Sequence, residues 1–212
     1  SLLPAGADEA DLIRLYEEEV LAHDLHVELG KVHPGIMPFQ NIPRAESQHR
    51  EIMAGILEKE GIALPKPPQG KRFVTKDLNK TFNQWLREGR RSELAACRVG
   101  VRLEEFDISD LRKAQNDTPQ YKKSFAALES ASNNHLRAFH RNLTNRGGDY
   151  TTESLPQKDF QTILNSDQQP GSCNCNGNCK KGPKGNGPGK GRAQGKGPGQ
   201  GQGRRGQGGP NR

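Results

Sequence analysis

The sequence predicts an all-α protein in which four long helices form a bundle and a glycine-rich tail follows. Apolar residues recur at helical spacing in four segments of about 20 residues, and no segment shows the alternation of a half-buried strand. The composition changes abruptly near residue 170, where glycine begins to dominate. We therefore divide the chain into a helical domain, residues 1–169, and a low-complexity tail, residues 170–212, which we expect to be disordered or extended.

The first two long helices carry polar residues on their apolar faces. The first is expected over residues 7–29 and the second over residues 41–60. Glu19 lies near the centre of the first apolar face, and Glu46 and His49 lie in the middle of the second. A carboxylate on an apolar face costs several kcal/mol unless something pairs with it.

The third and fourth long helices follow an extended crossover that contains three prolines, Leu64–Gly70. The third helix is expected from Ser92 to about residue 114, with Glu104 within its apolar face. The fourth is expected to begin at Thr118, and His135 shares its apolar stripe. Four amphipathic helices with a long connection between the second and third favour a ferritin-like bundle. Two short extra helices are expected over residues 76–88 and 154–164.

Several residues are typical of helix ends. Asn41 is expected to cap the second helix, with Pro43 in its first turn. Ser92 is expected to cap the third helix and Thr118 the fourth. Gly61 is expected to end the second helix.

The polar residues of the four faces form one predicted constellation. In carboxylate-bridged dimetal bundles, two helices each contribute one Glu and two others each contribute Glu-x-x-His. Clustered carboxylates repel one another in a dry core, so a cation is the simplest explanation for them. Oxygen donors with one or two imidazoles favour iron or manganese, and we expect one or two ions. The predicted ligands are Glu19, Glu46, His49, Glu104 and His135.

The fourth helix departs from the dimetal pattern. Ser132 stands where that pattern has a Glu, three residues before His135. Either Glu18, Glu105, Glu129 or water completes the site, or only one ion binds well. Two further polar positions are expected to stay outside the site. His26 is expected to pack or to support a ligand, and Asp107 is expected to face away.

Four separated motifs occur in the order that characterises one protein family. They are YEEEVLAHD (16–24), FQNIPRAESQH (39–49), VGVRLEEFDISDL (99–111) and SNNHLRAF (132–139). In these motifs the chain, from about residue 8 to residue 165, resembles the ferritin-like domain of unknown function 2202 family. The resemblance implies a ferritin-like fold and metal binding but no established substrate. The family shares the Ser-x-x-His of the fourth helix, so Ser132 looks like a family trait.

The positive net charge of the chain comes from the tail. It contains nine Lys and Arg residues and no acid, whereas the whole chain has a net charge of +7, so residues 1–169 carry −2. We expect the tail to attract anionic polymers or surfaces. It has no aromatic residue, so nucleic acid would bind only unspecifically, if at all. Cys173, Cys175 and Cys179 form a thiol group suited to cross-linking between chains or to a soft metal.

These observations leave several functions open. The first is a ferritin-like metal-binding protein with oxidase, peroxidase or iron-handling activity, and whether it is an enzyme stays open. The alternative is a secreted or cell-surface structural subunit whose tail mediates self-association or attachment. A nucleic-acid-coating protein that binds through its tail is the third. The sequence begins at Ser1 rather than Met, which suggests processing, and we expect a secreted or cell-envelope location. It has no apolar run long enough to span a membrane.

Overall fold

A computed structural model describes residues 9–166, and this part of the chain is all-helical, as predicted. It contains seven α-helices and one short 3₁₀ turn, Pro119–Tyr121. The helices are α1 (Glu9–Val32), α2 (Met37–Asn41), α3 (Pro43–Lys59), α4 (Lys76–Gly89), α5 (Glu93–Asp117), α6 (Lys122–Thr144) and α7 (Gln157–Asn165). The predicted tail, with Cys173, Cys175 and Cys179, lies outside the described residues.

The four long helices are α1, α3, α5 and α6, and they pack as two closely associated pairs. The helix α5 packs most extensively on α6, and α1 on α3. Further contacts join α1 to α5 and α3 to α6, while α4 packs against both α1 and α5. The extended connection predicted between the second and third long helices joins α3 to α4. None of the helices within residues 9–166 is long and apolar enough to cross a membrane.

Two of the predicted helix ends are confirmed by their hydrogen bonds. The Ser92 Oγ accepts from the backbone N–H of Ala95 at 3.1 Å, as an N-cap does. Gly61 follows α3 with a positive φ of 70°, and its N–H donates to Glu58 O at 3.0 Å. The next N–H, that of Ile62, donates to Leu57 O at 2.9 Å. This pair of bonds is a Schellman motif, which the left-handed conformation of a glycine allows.

Two other predicted caps are wrong. Asn41 does not cap α3, because it is the last residue of the short helix α2 and Ile42 holds the N-cap position. Thr118 does not begin α6 directly, because the 3₁₀ turn precedes that helix and the Thr118 side chain makes no capping hydrogen bond. The last short helix also starts later than predicted, at Gln157, since the backbone of residues 153–155 donates its N–H groups to Glu105.

The core consists of two apolar clusters. One cluster contains Leu21, Leu25, Phe39, Leu103 and Phe139 among others. The second contains Leu12, Leu15, Met53, Leu111 and Phe125 among others. Along each long helix a short polar stretch interrupts the apolar residues, and the four stretches come together. The fold therefore places a polar layer inside an apolar bundle.

Candidate metal centre

The helices α1 and α3 form the first half of this polar layer. Glu19, Glu46 and His49 are all buried, with exposed fractions of 1%, 2% and 4%. His49 Nδ1 lies 2.9 Å from Glu46 Oε2 and 3.3 Å from Glu19 Oε2. The two residues of α3 are three positions apart, so they project from the same face of the helix. One donor atom from each of the three residues falls within a sphere that could hold a cation.

The other oxygen of Glu46 belongs to a second group of donors. Glu46 Oε1 lies 3.0 Å from His135 Nδ1 and 3.9 Å from His26 Nδ1. Glu104 approaches the same two imidazoles, with Oε2 3.4 Å from His135 Nδ1 and Oε1 3.3 Å from His26 Nε2. His26, Glu46 and Glu104 offer donor atoms close enough together to bind a metal ion. The carboxylate of Glu46 therefore joins two donor groups, one through each oxygen.

Many donor atoms in this layer have no hydrogen bond. Within residues 9–166 they find no correctly aligned partner, although several lie within 4 Å of one another. A buried polar atom left in this state costs about 1–3 kcal/mol, and more when it is charged. Atoms that converge without hydrogen-bond geometry are what a coordinated cation requires. They are Glu19 Oε1, Glu46 Oε1, Glu104 Oε1, His135 Nδ1 and both ring nitrogens of His26.

The charges of these groups are strongly coupled. Burial alone would raise the pKa of Glu46, but the imidazoles of His49 and His135 hold it well below its usual range. Burial would lower the pKa of His135, yet the carboxylates of Glu104 and Glu46 raise it to about 10. Burial raises the pKa of Glu104 to about 7. In the metal-free protein, protons on His49 and His135 supply the positive charge that a bound cation would supply.

His26 belongs to the donor group, whereas the sequence interpretation gave it only a packing or supporting role. It is fully buried, and burial lowers its pKa to about 3, so the imidazole is neutral and free to coordinate. Its ring also stacks on Phe139 at a centroid distance of 5.1 Å and contacts Phe39 at 5.7 Å. Packing and coordination are thus compatible. The sequence signal for this role of His26 is its position seven residues after Glu19, because that spacing is two helical turns and places both side chains on the same face of α1.

Asp107 also faces the polar layer, and the prediction that it faces away is wrong. It is 6% exposed and accepts a hydrogen bond from Ser132 Oγ at 2.6 Å. Burial raises its pKa well above the usual range, and the charges of Glu19, Glu46 and Glu104 add to this. Since Asp107 follows Glu104 by three residues, both lie on one face of α5. Where a dimetal bundle would have a Glu on α6, this protein has a serine that holds a carboxylate from α5.

The three acidic residues considered as additional ligands lie outside both donor groups. Glu105 accepts from the Tyr150 hydroxyl at 2.5 Å and from backbone N–H groups of residues 153–155. Glu129 accepts from Arg112 Nε at 2.8 Å and from Gln115 Nε2 at 2.7 Å. Glu18 is buried beside Arg14, with Arg14 Nε 2.9 Å from Glu18 Oε1.

Comparisons with known proteins agree with the four motifs. The family described as uncharacterized protein domain (DUF2202) matches residues 8–167. The uncharacterized protein MJ0754 of Methanocaldococcus jannaschii is 31% identical over 174 residues, which cover 79% of this chain and 92% of that protein. The crystal structure of hypothetical protein MJ0754 from Methanococcus jannaschii is similar, with a TM-score of 0.72 and 30% identity. The alignment covers 80% of this chain and 99% of that chain.

Proposed function

The chain belongs to the DUF2202 family, and we propose that its helical domain is a ferritin-like protein that binds two divalent metal ions. The observation that carries this proposal is the position of Glu46. Its two oxygens lie in separate donor groups that together involve all four long helices. A carboxylate shared in this way is the central element of dimetal carboxylate sites in helical bundles.

The residues present fit two ions. One ion would be held by Glu19, His49 and Glu46 Oε2. The other would be held by Glu46 Oε1, Glu104, His135 and His26. The second group has an imidazole where the usual pattern has a carboxylate from the fourth helix. The unpartnered donor atoms of both groups would gain partners on binding, which removes the cost of burying them.

The donor types favour iron or manganese. Carboxylate oxygens with imidazole nitrogens suit these metals, whereas thiolates would favour zinc or copper(I). Cys97, the free cysteine within residues 9–166, belongs to the apolar core rather than to either donor group. The proposed cofactor is therefore one pair of iron or manganese ions.

The chemistry proposed for the centre is oxidation by dioxygen or peroxide, or the handling of iron itself. A bound redox-active ion would supply the electron exchange that protein side chains lack. The chain contributes a water-poor setting, because the two apolar clusters enclose the polar layer. Phe39 and Phe139 fix the ring of His26, and Ser132 fixes the carboxylate of Asp107 beside the donors.

Elemental mass spectrometry on natively purified protein tests this proposal. We expect about two iron or manganese ions per chain. Glu46→Ala should lose both ions, because each donor group loses an oxygen. Glu129→Ala is the matched control, since it also removes a partly buried carboxylate but one held by Arg112 outside the donor groups. A wild-type protein without metal, or metal retained by Glu46→Ala, would overturn the proposal.

A further inference from the structure

The positive charge of the helical domain is concentrated around α4. Residues 71–98, which contain α4 and its flanks, include eight Lys and Arg residues and three acids, so this segment carries a net charge of +5. The rest of residues 1–169 carries −7, because residues 1–169 carry −2 in total. A basic segment on an otherwise acidic domain is a candidate contact surface for an anionic partner.

The cations of α4 lie on the side opposite its apolar face. Lys76, Lys80, Asn83 and Arg87 follow one another at intervals of three or four residues, so they form one stripe along the helix. All four residues are exposed. The buried side chains of α4 point the other way, toward α1 and α5, and they include Leu78, Phe82 and Trp85. The stripe contains no acid, so its charge is not balanced on its own face of the helix.

The three acids of residues 71–98 do not balance this stripe either. Each of them pairs with an arginine from outside the segment. The pairs are Asp77 with Arg14 at 2.7 Å, Glu88 with Arg102 at 2.7 Å and Glu93 with Arg146 at 2.9 Å. These carboxylates are thus already paired, and they leave the cations of the stripe unneutralised.

Five cations of the segment have no ion pair within residues 9–166. The other three, Arg72, Arg90 and Arg98, pair with acids outside the segment. The five unpaired cations are all exposed, and we name them the α4 surface: Lys71, Lys76, Lys80, Arg87 and Arg91. Like charges on one folded surface repel one another, and an anionic partner removes this repulsion.

A recess lies on each side of α4, and both recesses have basic walls. The first has a volume of about 640 Å³, and its wall includes Lys71, Arg72, Asn83 and Arg90. The second has a volume of about 380 Å³, and its wall includes Gln84, Arg87, Arg91 and Arg98. Each wall contains one carboxylate, Glu28 or Glu88, and each of these is paired with an arginine. Ammonium, guanidinium and amide N–H groups are the donors that bind the phosphate oxygens of nucleic acids.

The chemistry around α4 favours a duplex over a bilayer or a single strand. Val74 is the exposed large apolar residue of residues 71–98, whereas surfaces that enter a bilayer present Trp, Phe and Leu. The aromatic residues of the segment, Phe73, Phe82 and Trp85, are buried, so they cannot stack on the bases of a single strand. Double-stranded nucleic acid needs neither group, because it presents about one negative charge per 1.7 Å of helix axis.

We propose that the α4 surface, with the two recesses beside it, binds the phosphate backbone of double-stranded nucleic acid without sequence preference. The stripe from Lys76 to Arg87 is about 16 Å long, since each residue of an α-helix adds about 1.5 Å. It therefore spans several phosphates of one duplex. The inference does not depend on the proposed metal centre, and it places a binding surface on the helical domain in addition to the basic tail.

Fluorescence anisotropy of a labelled DNA duplex, titrated with full-length protein at several salt concentrations, tests this inference. The logarithm of the association constant falls with the logarithm of the salt concentration, by about 0.9 for each phosphate contact. The triple variant Lys80→Gln/Arg87→Gln/Arg91→Gln should therefore lower the slope by about 2–3 and weaken binding about 100-fold near 0.1 M salt.

The matched control removes the same charge elsewhere and keeps the tail. It is Lys59→Gln/Lys122→Gln/Lys123→Gln, three exposed lysines at the end of α3 and the start of α6. This control should keep the slope and the affinity of the wild type. Both triple variants should unfold at the wild-type urea concentration, because the replaced side chains are exposed and unpaired within residues 9–166.

Three results would overturn the inference. Equal losses in the two triple variants would show that net charge and the tail bind DNA, rather than the α4 surface. A wild-type protein that does not bind the duplex would remove the proposed partner. Phosphatidylglycerol vesicles that bind as tightly as the duplex, with the same loss in the first variant, would assign the surface to a membrane instead.

Discussion

Two kinds of buried carboxylate stand side by side in this bundle. Glu104 and Glu105 are neighbours in α5 with exposed fractions of 2% and 0%. Glu105 receives one hydroxyl and three backbone N–H groups from the segment between α6 and α7. Glu104 faces two imidazoles, and its Oε1 has no hydrogen bond within the described range. Both carboxylates are therefore buried. Glu105 is structural because hydroxyl and backbone N–H groups donate hydrogen bonds to it, whereas Glu104 lacks such hydrogen-bond donors and is a candidate ligand.

The same contrast occurs in α1. Glu17 accepts the backbone N–H groups of Val74 at 2.6 Å and Thr75 at 2.8 Å, where α4 begins. Its carboxylate thus holds, from α1, the two residues that lead into α4. Glu19, two residues later, points to His49 in the polar layer. Glu17 and Glu19 are two positions apart in α1, so their side chains point in different directions. The first contacts the segment that precedes α4, and the second lies in the polar layer.

The largest loss of stability is expected when Glu105 is replaced. Glu105→Ala removes the acceptor of one hydroxyl and three backbone N–H groups, of which that of Leu155 is buried, so the unfolding free energy should fall by about 3 kcal/mol or more. The metal content of the folded fraction should stay the same. Urea unfolding followed by circular dichroism measures the first quantity. A stable variant that has lost its metal would reverse the roles assigned to Glu105 and Glu104.

Glu104→Gln should raise the unfolding free energy of the metal-free protein at neutral to alkaline pH, whereas Glu105→Ala should lower it. Burial raises the pKa of Glu104 to about 7, so the folded state keeps a proton that the unfolded chain releases near 4.5. This stabilisation is fully present below pH 4.5 and is lost as the pH rises through 7. Gln mimics the protonated form, so the unfolding free energy of the variant relative to the wild type should increase as the pH rises from 4.5 to 8.

Parallel urea titrations of metal-free Glu104→Gln and wild type at several pH values measure this difference. The variant should also lose the second metal ion. A stability difference that does not change with pH would contradict the raised pKa that burial gives to Glu104.

Glu17→Ala should weaken the fold without touching the centre. It removes the acceptor of two N–H groups at the start of α4, and we expect a loss of about 2–3 kcal/mol. Hydrogen exchange should become faster in the first turn of α4, near Thr75, while the metal stoichiometry stays at the wild-type value. Loss of metal without faster exchange there would place Glu17, rather than Glu19, in the polar layer.

The smallest effects concern two glycines of the long helices. A Cβ on Gly100 would overlap the ring of Phe139, which packs on His26, whereas a Cβ on Gly55 would meet nothing within 4 Å. Gly100→Ala should cost about 1–3 kcal/mol by overpacking and lower the affinity for the second ion. Gly55→Ala should stabilise α3 by about 0.5–1 kcal/mol. Metal titration with thermal unfolding measures both effects, and equal behaviour of the two variants would contradict the close contact between Gly100 and Phe139.

The helical pattern explains why the fold and five candidate ligands could be predicted. Each long helix has an apolar face, and a polar residue within that face, such as Glu19 or Glu46, stands out from the sequence alone. The structure brings the five residues together. Asp107 was missed because the interpretation placed it off the face, although its spacing of three from Glu104 puts the two side chains on one side of α5.

Other features depend on contacts that are distant in sequence. Glu105 is held by N–H groups about 50 residues away, so its local pattern could not separate it from Glu104. The cap of α3 depends on the unpredicted helix α2, which runs directly into Ile42. The hydrogen bond from Ser132 of α6 to Asp107 of α5 is also a tertiary contact, because it needs the two helices side by side.

Anomalous X-ray diffraction from crystals of the manganese- or iron-loaded protein tests the dimetal centre most directly. We expect two anomalous peaks about 3.5–4 Å apart, on either side of the Glu46 carboxylate. One peak should lie near Glu19 and His49, and the other near Glu104, His135 and His26. A single peak, or peaks remote from Glu46, would contradict the assignment of a bridged pair of ions to this polar layer.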